Sequence, residues 1–389
     1  MIDRSVNKNA LSWLVLALYL AVFGSVSWAS GTVSPQKSFA ERWHPRKVPA
    51  NVEFVGDQVC AECHKNKVVT HAQTGMAMAM ETVADSKVLT ENPNMTMRSG
   101  PYSYEIKRKD KQSIYTVTDG RETISLPILY AFGQGKAGQT YILRYEGLLY
   151  ESLVSFYNEI RGLDFTIGAP RTVPPSLKQA LGRRLSDNET LSCFSCHSTG
   201  GIGGGKINLE KVTPGIRCEA CHGPGAEHVA AGKAGKENAK LIFNPKRLSG
   251  DELSQDFCAS CHRGNDEFSL LQSMEMNNVR FQPYRIFHSK CYSDDRRISC
   301  TACHNPHEPI KQDAAYYDGK CMACHQPKEK TLVNAAKTNQ QGQDLVAGCR
   351  VATKDCVSCH MPKIGPPAAH FKFTDHYIRI TRPREAYPN

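Results

Sequence analysis

Apolar mass is what this chain has little of. Only 40% of its 389 residues are hydrophobic, and the mean hydropathy is −0.43. A chain of this length has room for two or three ordinary domains, but aliphatic side chains alone would not fill their cores. Other groups must supply much of the buried apolar mass. Long apolar runs are equally scarce, with one exception from Leu11 to Val26, broken only by Ser12, Tyr19, Gly24 and Ser25 and preceded by Arg4 and Lys8. This stretch, residues 1–29, reads as a signal peptide, with Ser27 and Ala29 as the small residues before a cut after Ala29. The alternative is an uncleaved anchor, because the run approaches the ~20 residues that span a bilayer. No lipobox cysteine is present. In both cases the remainder is expected outside the cytoplasmic membrane, in the periplasm or at the cell surface, with no membrane span after cleavage. A phosphate loop is also missing. Gly200, Gly201, Gly203, Gly204 and Gly205 follow no strand signal and precede no Gly-Lys-Ser/Thr, so they read as a linker or a point of close backbone approach.

Cysteine and histidine are abundant, at sixteen and fourteen. Fourteen of the cysteines fall into seven copies of C-x-x-C-H: Cys60/Cys63/His64, Cys193/Cys196/His197, Cys218/Cys221/His222, Cys258/Cys261/His262, Cys300/Cys303/His304, Cys321/Cys324/His325 and Cys356/Cys359/His360. Two thiols three positions apart reach the two vinyl-derived carbons of one porphyrin, and the adjacent histidine then lies under the iron. A zinc reading needs the pairs to combine in sets of four ligands; seven pairs leave one over, and zinc gives no reason for a histidine after every second cysteine. Disulfides fit an exported chain but leave the histidines unexplained. The cofactor expected is therefore seven covalently bound haem c. Cys291 and Cys349 remain, either as a disulfide bracing the last three haems or as two buried free thiols.

Haem also changes the charge balance. Losing Asp3, Arg4 and Lys8 with the leader takes the formal +10 to +9, and fourteen propionates with seven ferric irons bring it to +2 oxidised and −5 reduced. No basic excess remains to track phosphates, so nucleic-acid binding is not expected.

Sixth ligands separate an electron carrier from a catalyst, since an iron held on both faces can only pass electrons. Seven histidines lie outside the motifs: His44, His71, His228, His288, His307, His370 and His376. Their number permits seven bis-histidine haems without proving them. His228 and His307 lie too near His222 and His304 to reach the far face of the same haem easily, so each is expected to serve a neighbour. His370 and His376 follow the last motif; His288 and His44 are either ligands or surface imidazoles. For the first haem the choice lies between His71 and Met76, and Met76, Met78 and Met80 fit helix-face packing equally well.

Between the first and second motifs, alternation over Tyr102–Ile106 and Ser113–Val117, a turn at Asp119-Gly120 and a further run from Gln139 to Tyr145 predict a small antiparallel β unit over 100–165. Residues 30–99 then form the segment of the first haem, and 166–389 a six-haem domain of short helices and irregular loops.

Three segments read together resemble a known family: Cys-Glu-Ala-Cys-His-Gly-Pro-Gly-Ala-Glu-His over 218–228, Cys-Thr-Ala-Cys-His-Asn-Pro-His over 300–307 and Cys-Val-Ser-Cys-His-Met-Pro over 356–362, with Phe-Thr-Asp-His ending at His376. The chain resembles the bacterial multihaem cytochromes of the cytochrome c-554 type, related to the tetrahaem electron acceptor of hydroxylamine oxidoreductase and including those with doubled C-x-x-C-H motifs. The likeness covers about 55–80 and 190–380. It implies a multihaem cytochrome c fold, with haem pairs stacked alternately parallel and perpendicular and with His228, His307 and His376 as distal ligands. Relatives often place histidine near position 75, where this chain has Gly75 and Met76. Catalytic relatives usually carry C-x-x-C-K, which is absent here. The function expected is electron transfer to and from redox partner proteins, a quinol-side donor or other cytochromes, with no catalytic residues. The alternatives are a small-molecule oxidoreductase acting on a nitrogen or sulfur oxyanion at one five-coordinate haem, and a subunit of a larger redox assembly.

Overall fold

The computed structural model describes residues 43–271, 276–293, 298–325, 352, 354–367, 369–382 and 385–388. The leader and Cys349 lie outside them. Ten strands precede or flank the second motif: β1 (Met80–Thr82), β2 (Asn94–Ser99), β3 (Tyr102–Lys109), β4 (Gln112–Thr118), β5 (Thr123–Phe132), β6 (Thr140–Tyr145), β7 (Leu148–Ser152), β8 (Val154–Tyr157), β9 (Gly162–Phe165) and β10 (Gly182–Arg184). Eight form one antiparallel sheet in the order β10-β7-β6-β5-β4-β3-β2, with β1 added on β5, and β8 pairs with β9 as a separate hairpin. The sheet is larger than the small unit expected over 100–165, because it reaches back to Met80 and forward to Arg184.

Alternation drives it. Tyr102, Tyr104 and Ile106 of β3 and Tyr115 and Val117 of β4 all point to the buried face, where they meet Tyr141 and Leu143 of β6 and the short helix Leu177–Leu181. The turns match their chemistry. Asp119 Oδ1 accepts from the N–H groups of Arg121 and Glu122, both at 2.8 Å. Glu146 and Gly147, at φ 51° and 77°, join β6 to β7 by the two-residue hairpin that needs positive φ at both positions.

Each C-x-x-C-H motif sits on its own helix: α1 (Asp57–His71), α2 (Asp187–His197), α3 (Cys218–His222), α4 (Ala259–His262), α5 (Cys300–Cys303), α6 (Ala314–His325) and α7 (Cys356–His360). The α1 helix kinks at His64, whose φ and ψ are −113° and 34°, and α4 is entered through a π-helical turn, Glu252–Cys258. Only α2 has a complete capping box, Ser186 with Glu189, among the described motif helices. The α3, α4, α5 and α7 helices are each four or five residues long, too short to be stable alone. Among the described residues no helix is long and apolar enough to cross a membrane.

The two buried clusters differ sharply in size. The sheet holds one broad cluster from Val83 to Leu181, whereas the motif region holds Trp43, Phe243, Leu253 and Phe257, with Cys221 and Cys258 packed against them. The motif region therefore cannot offset the ordering cost of its backbone without its cofactors. Chain made without haem attachment is expected, on limited proteolysis, to leave one protected fragment around 80–184 while the segments carrying α3 to α7 are digested. Uniform resistance along the chain would refute this.

Candidate functional site

Three motif histidines each stand opposite a histidine from outside the motifs, at one repeated spacing. His64 and His228 have ring centroids 6.2 Å apart with planes at 17°, His222 and His307 are 5.9 Å apart at 10°, and His304 and His376 are 6.2 Å apart at 42°. A metal lies about 2 Å from a ligating ring nitrogen, and the ring centre lies about 1 Å further back. Two imidazoles on opposite faces of one iron therefore have centroids about 6 Å apart. Each pair leaves the space that a bis-histidine haem iron requires, so the residues fit the group.

The tautomers agree. The Nδ1–H groups of His197, His222 and His360 each donate to a backbone carbonyl, of Ala79, Phe243 and Arg379, at 2.9 Å. His228 and His376 do the same to Asn238 and Thr374 at 3.0 Å. A proton fixed on Nδ1 leaves the Nε2 lone pair for a metal. Burial pushes His307 and His376 down to about 4, so both rings are neutral, as ligands must be.

Other expected ligands sit differently. His370 places its Nε2 on Asp164, at 2.6 Å, tying the C-terminal segment to β9. His44 has Nδ1 on the Pro45 carbonyl and Nε2 on Asp256. In both, the nitrogen needed for iron is already taken. His288 has a buried Nε2 with no hydrogen-bond partner, among Tyr284, Phe287 and Tyr377. His71 is buried 6.4 Å from His307, edge-on at 61°. Met76 is tied to the chain ahead of α3 through its backbone. Its carbonyl accepts from Ile216 N at 2.9 Å, just before α3, and Met80 is buried in β1. Among the described residues His197, His262, His325 and His360 face no second imidazole.

Neighbouring motifs approach one another through their cysteines, which are half-buried or exposed. Cys60 lies beside Cys218, Cys196 beside Cys261, Cys258 beside Cys300 and Cys321 beside Cys356. Cys221 lies beside Cys258, and α5 packs on α6. The motifs thus run first, third, fourth, fifth, sixth, seventh in space, with the second branching from the fourth.

The fourteen motif thiols share one spacing but not one environment. Cys63, Cys324 and Cys359 are exposed, whereas the other eleven are half-buried, as is Cys291. The α6 helix packs on α7, where the first cysteines of the two motifs, Cys321 and Cys356, lie side by side. Cys324 and Cys359 lie one turn further on, outside that junction, where Cys359 Sγ meets the adjacent Ser358 Oγ at 3.8 Å. Both keep the C-x-x-C-H spacing that thioether attachment needs, but on a face open to solvent.

A family model described as cytochrome c554 and c-prime matches residues 173–223, the segment of the second and third motifs. The chain is also similar to the multiheme cytochrome MtrA of Shewanella baltica (strain OS185), 24% identical over 124 residues, 30% of this chain. These matches support a multihaem c-type cytochrome. The chain spans about a third of that relative's length, 31%. Among solved structures, the outer cell wall cytochrome OcwA aligns with 82% of this chain and 79% of its own at 14% identity, with a TM-score of 0.43.

Two features of the cytochrome escaped sequence reasoning. Glu219, inside the third motif, is 2% exposed; Oε1 accepts from Val55 N at 3.0 Å and Gly225 N at 2.9 Å, and Oε2 from Gly56 N at 2.8 Å. It fastens the entry of α1 and the Gly-Pro-Gly turn before His228 to α3, so the first and third motifs share one anchor. Asp57 reinforces it by accepting from Cys218 N at 3.2 Å. The contact of the sheet with the second motif is the second feature. Tyr130 and Phe132 of β5 pack edge-on against Phe194 of α2 at 5.4 and 5.2 Å, and the carbonyl just before β1 holds His197. At Gly215 a Cβ would stand 1.8 Å from the Ala77 carbonyl at φ +78°, so only glycine lets the chain pass there on its way to α3.

Proposed function

We propose that the protein is an electron-transfer cytochrome of the periplasm or cell surface that carries seven haem c groups. It exchanges electrons with other redox proteins, a quinol-side donor or further cytochromes. The observation that carries this reading is the repeated spacing of about 6 Å between His64 and His228, His222 and His307, and His304 and His376. Bound there, haem supplies a reversible one-electron iron couple and porphyrin edges between which electrons can pass. The chain's own residues hold and orient. Motif cysteines fix each porphyrin, backbone carbonyls fix the tautomer of His197, His222, His360, His228 and His376, and Glu219 and the β5 aromatics set the motifs against one another. In this reading 1–29 is the export signal, and 80–184 is a scaffold for the second motif as well as cover.

Two measurements test it. The mass of the purified holoprotein should exceed the polypeptide by seven haems, and ferric electron paramagnetic resonance should be dominated by low-spin iron. An increment of six haems or fewer, or mainly high-spin iron, overturns it, and high-spin iron would favour the small-molecule oxidoreductase.

A further inference from the structure

We infer that buried charges of opposite sign at the two ends of the motif series give the cytochrome a built-in direction, with electrons passing from the His64/His222 end to the His304/His360 end. This rests on the electron-transfer reading above. At the first end the buried charge is Glu219. Among the described residues its carboxylate accepts from three neutral N–H groups and forms no ion pair, and nearby Asp57 has Arg217 at 3.8 Å. The net buried charge there is negative.

At the other end the balance reverses. Arg285, 0% exposed, donates from Nε and Nη2 to both oxygens of the equally buried Asp375, at 2.8 and 3.0 Å, and from Nη1 to the Pro388 carbonyl. Arg379 Nη1 adds a second donor to Asp375 at 2.7 Å. Arg280 lies over the Phe281 ring, its buried Nε without an acceptor among the described residues. Two enclosed guanidiniums, Arg285 and Arg379, therefore meet one buried carboxylate, with Arg280 a further cation on the same segment as Arg285, and Glu385, 3.9 Å from Arg379, sits at the partly exposed rim.

These charges are attached to the ligands themselves. Glu219 lies between Cys218 and Cys221; Asp375 precedes His376; and the Arg379 carbonyl holds His360 Nδ1. A buried charge acts on a neighbouring centre with little screening. An uncompensated carboxylate favours the ferric state and lowers the potential, whereas excess guanidinium favours the ferrous state and raises it. With haem bound, these charges would favour entry of one electron from a reduced one-electron carrier at the His64/His222 end and its exit to an oxidised one-electron carrier at the other, with no bond formed or broken.

The test is a spectroelectrochemical titration of the holoprotein, with the irons assigned through the high-spin signals of His228→Ala and His376→Ala. Glu219→Gln should raise the potentials of the His64 and His222 irons, while Glu219→Asp, which keeps the charge, should leave them in place. Arg379→Gln should lower those of the His304 and His360 irons, and Arg379→Lys should not. Shifts of equal size in charge-keeping and charge-removing variants, shifts of the opposite sign, or no shift would overturn the inference. A wild-type protein lacking seven haems or low-spin iron would instead sink the electron-transfer reading.

Discussion

Replacing His228 with alanine is expected to open one haem iron while the haem content stays that of the wild type. The thioether cysteines Cys60 and Cys63 are untouched, so the mass increment should not change. The imidazole opposite His64, however, disappears. Among the described residues no other histidine ring lies within stacking distance of His64, so that iron should turn high-spin and, when reduced, bind one equivalent of carbon monoxide. Its potential should rise, since loss of a strong donor destabilises ferric iron. His307→Ala should show a weaker effect, because His71 stands 6.4 Å from the His307 ring and can move in. His370→Ala should leave the spin state alone, its Nε2 being on Asp164. A low-spin spectrum unchanged in His228→Ala would refute the pairing with His64.

The largest stability loss is expected from Asp375→Ala. Arg285 is fully enclosed, and its guanidinium spends two of its donors on Asp375. Removing one partner of a buried ion pair leaves an unpaired charge and costs about 3–5 kcal/mol, a large share of the roughly 5–15 kcal/mol that holds a typical domain. The loss should be concentrated locally, since Tyr377 N and Arg379 also bond to Asp375 and Ser289 Oγ donates to the His376 carbonyl. Denaturant titration should show it as an earlier midpoint, with the His304 iron losing its second imidazole first. Asp375→Asn, which can still accept, should cost less. Equal midpoints for wild type and Asp375→Ala would show that water or another acceptor reaches Arg285.

What was legible in the sequence follows from how local each cause is. The C-x-x-C-H copies are legible because haem attachment constrains five consecutive residues. The exposure of Cys324 and Cys359 is not, because it depends on how α6 meets α7. His228 stands out because Gly223, Pro224 and Gly225 turn the chain between it and His222. Strands β3, β4 and β6 announce themselves by alternation. The β5 strand does not, because Pro127 interrupts it and Leu126 to Phe132 is a continuous apolar run apart from Tyr130 and the proline, with a register shift between Ile128 and Tyr130. The β2 strand, Asn94–Ser99, is too polar to be read as half-buried. Glu219 and Arg285 were invisible because their partners lie far along the chain: Val55 is 164 residues from Glu219, and Asp375 is 90 residues from Arg285. His44 and His370 show the converse. Histidine count alone admits them as ligands, yet an acidic side chain distant in sequence occupies Nε2 in each.

The carbonyl of Ala79 accepts two hydrogens, from Gly133 N and from His197 Nδ1, both at 2.9 Å. This makes the sheet a ruler for the second motif, and it divides the sheet into places where length matters and places where it does not. Inserting residues at the exposed Asp110-Lys111 hairpin tip lengthens the β3–β4 turn, which does not carry the Ala79 hydrogen bonds, and leaves the ruler intact. Inserting them between Gly133 and Gln139, or slipping the three-residue β1 by one position against β5, moves the carbonyl away from the imidazole. Fusions, tags or labels for following this cytochrome in the cell therefore belong on the first hairpin, and sequence drift in the second should be matched by compensating change in β1.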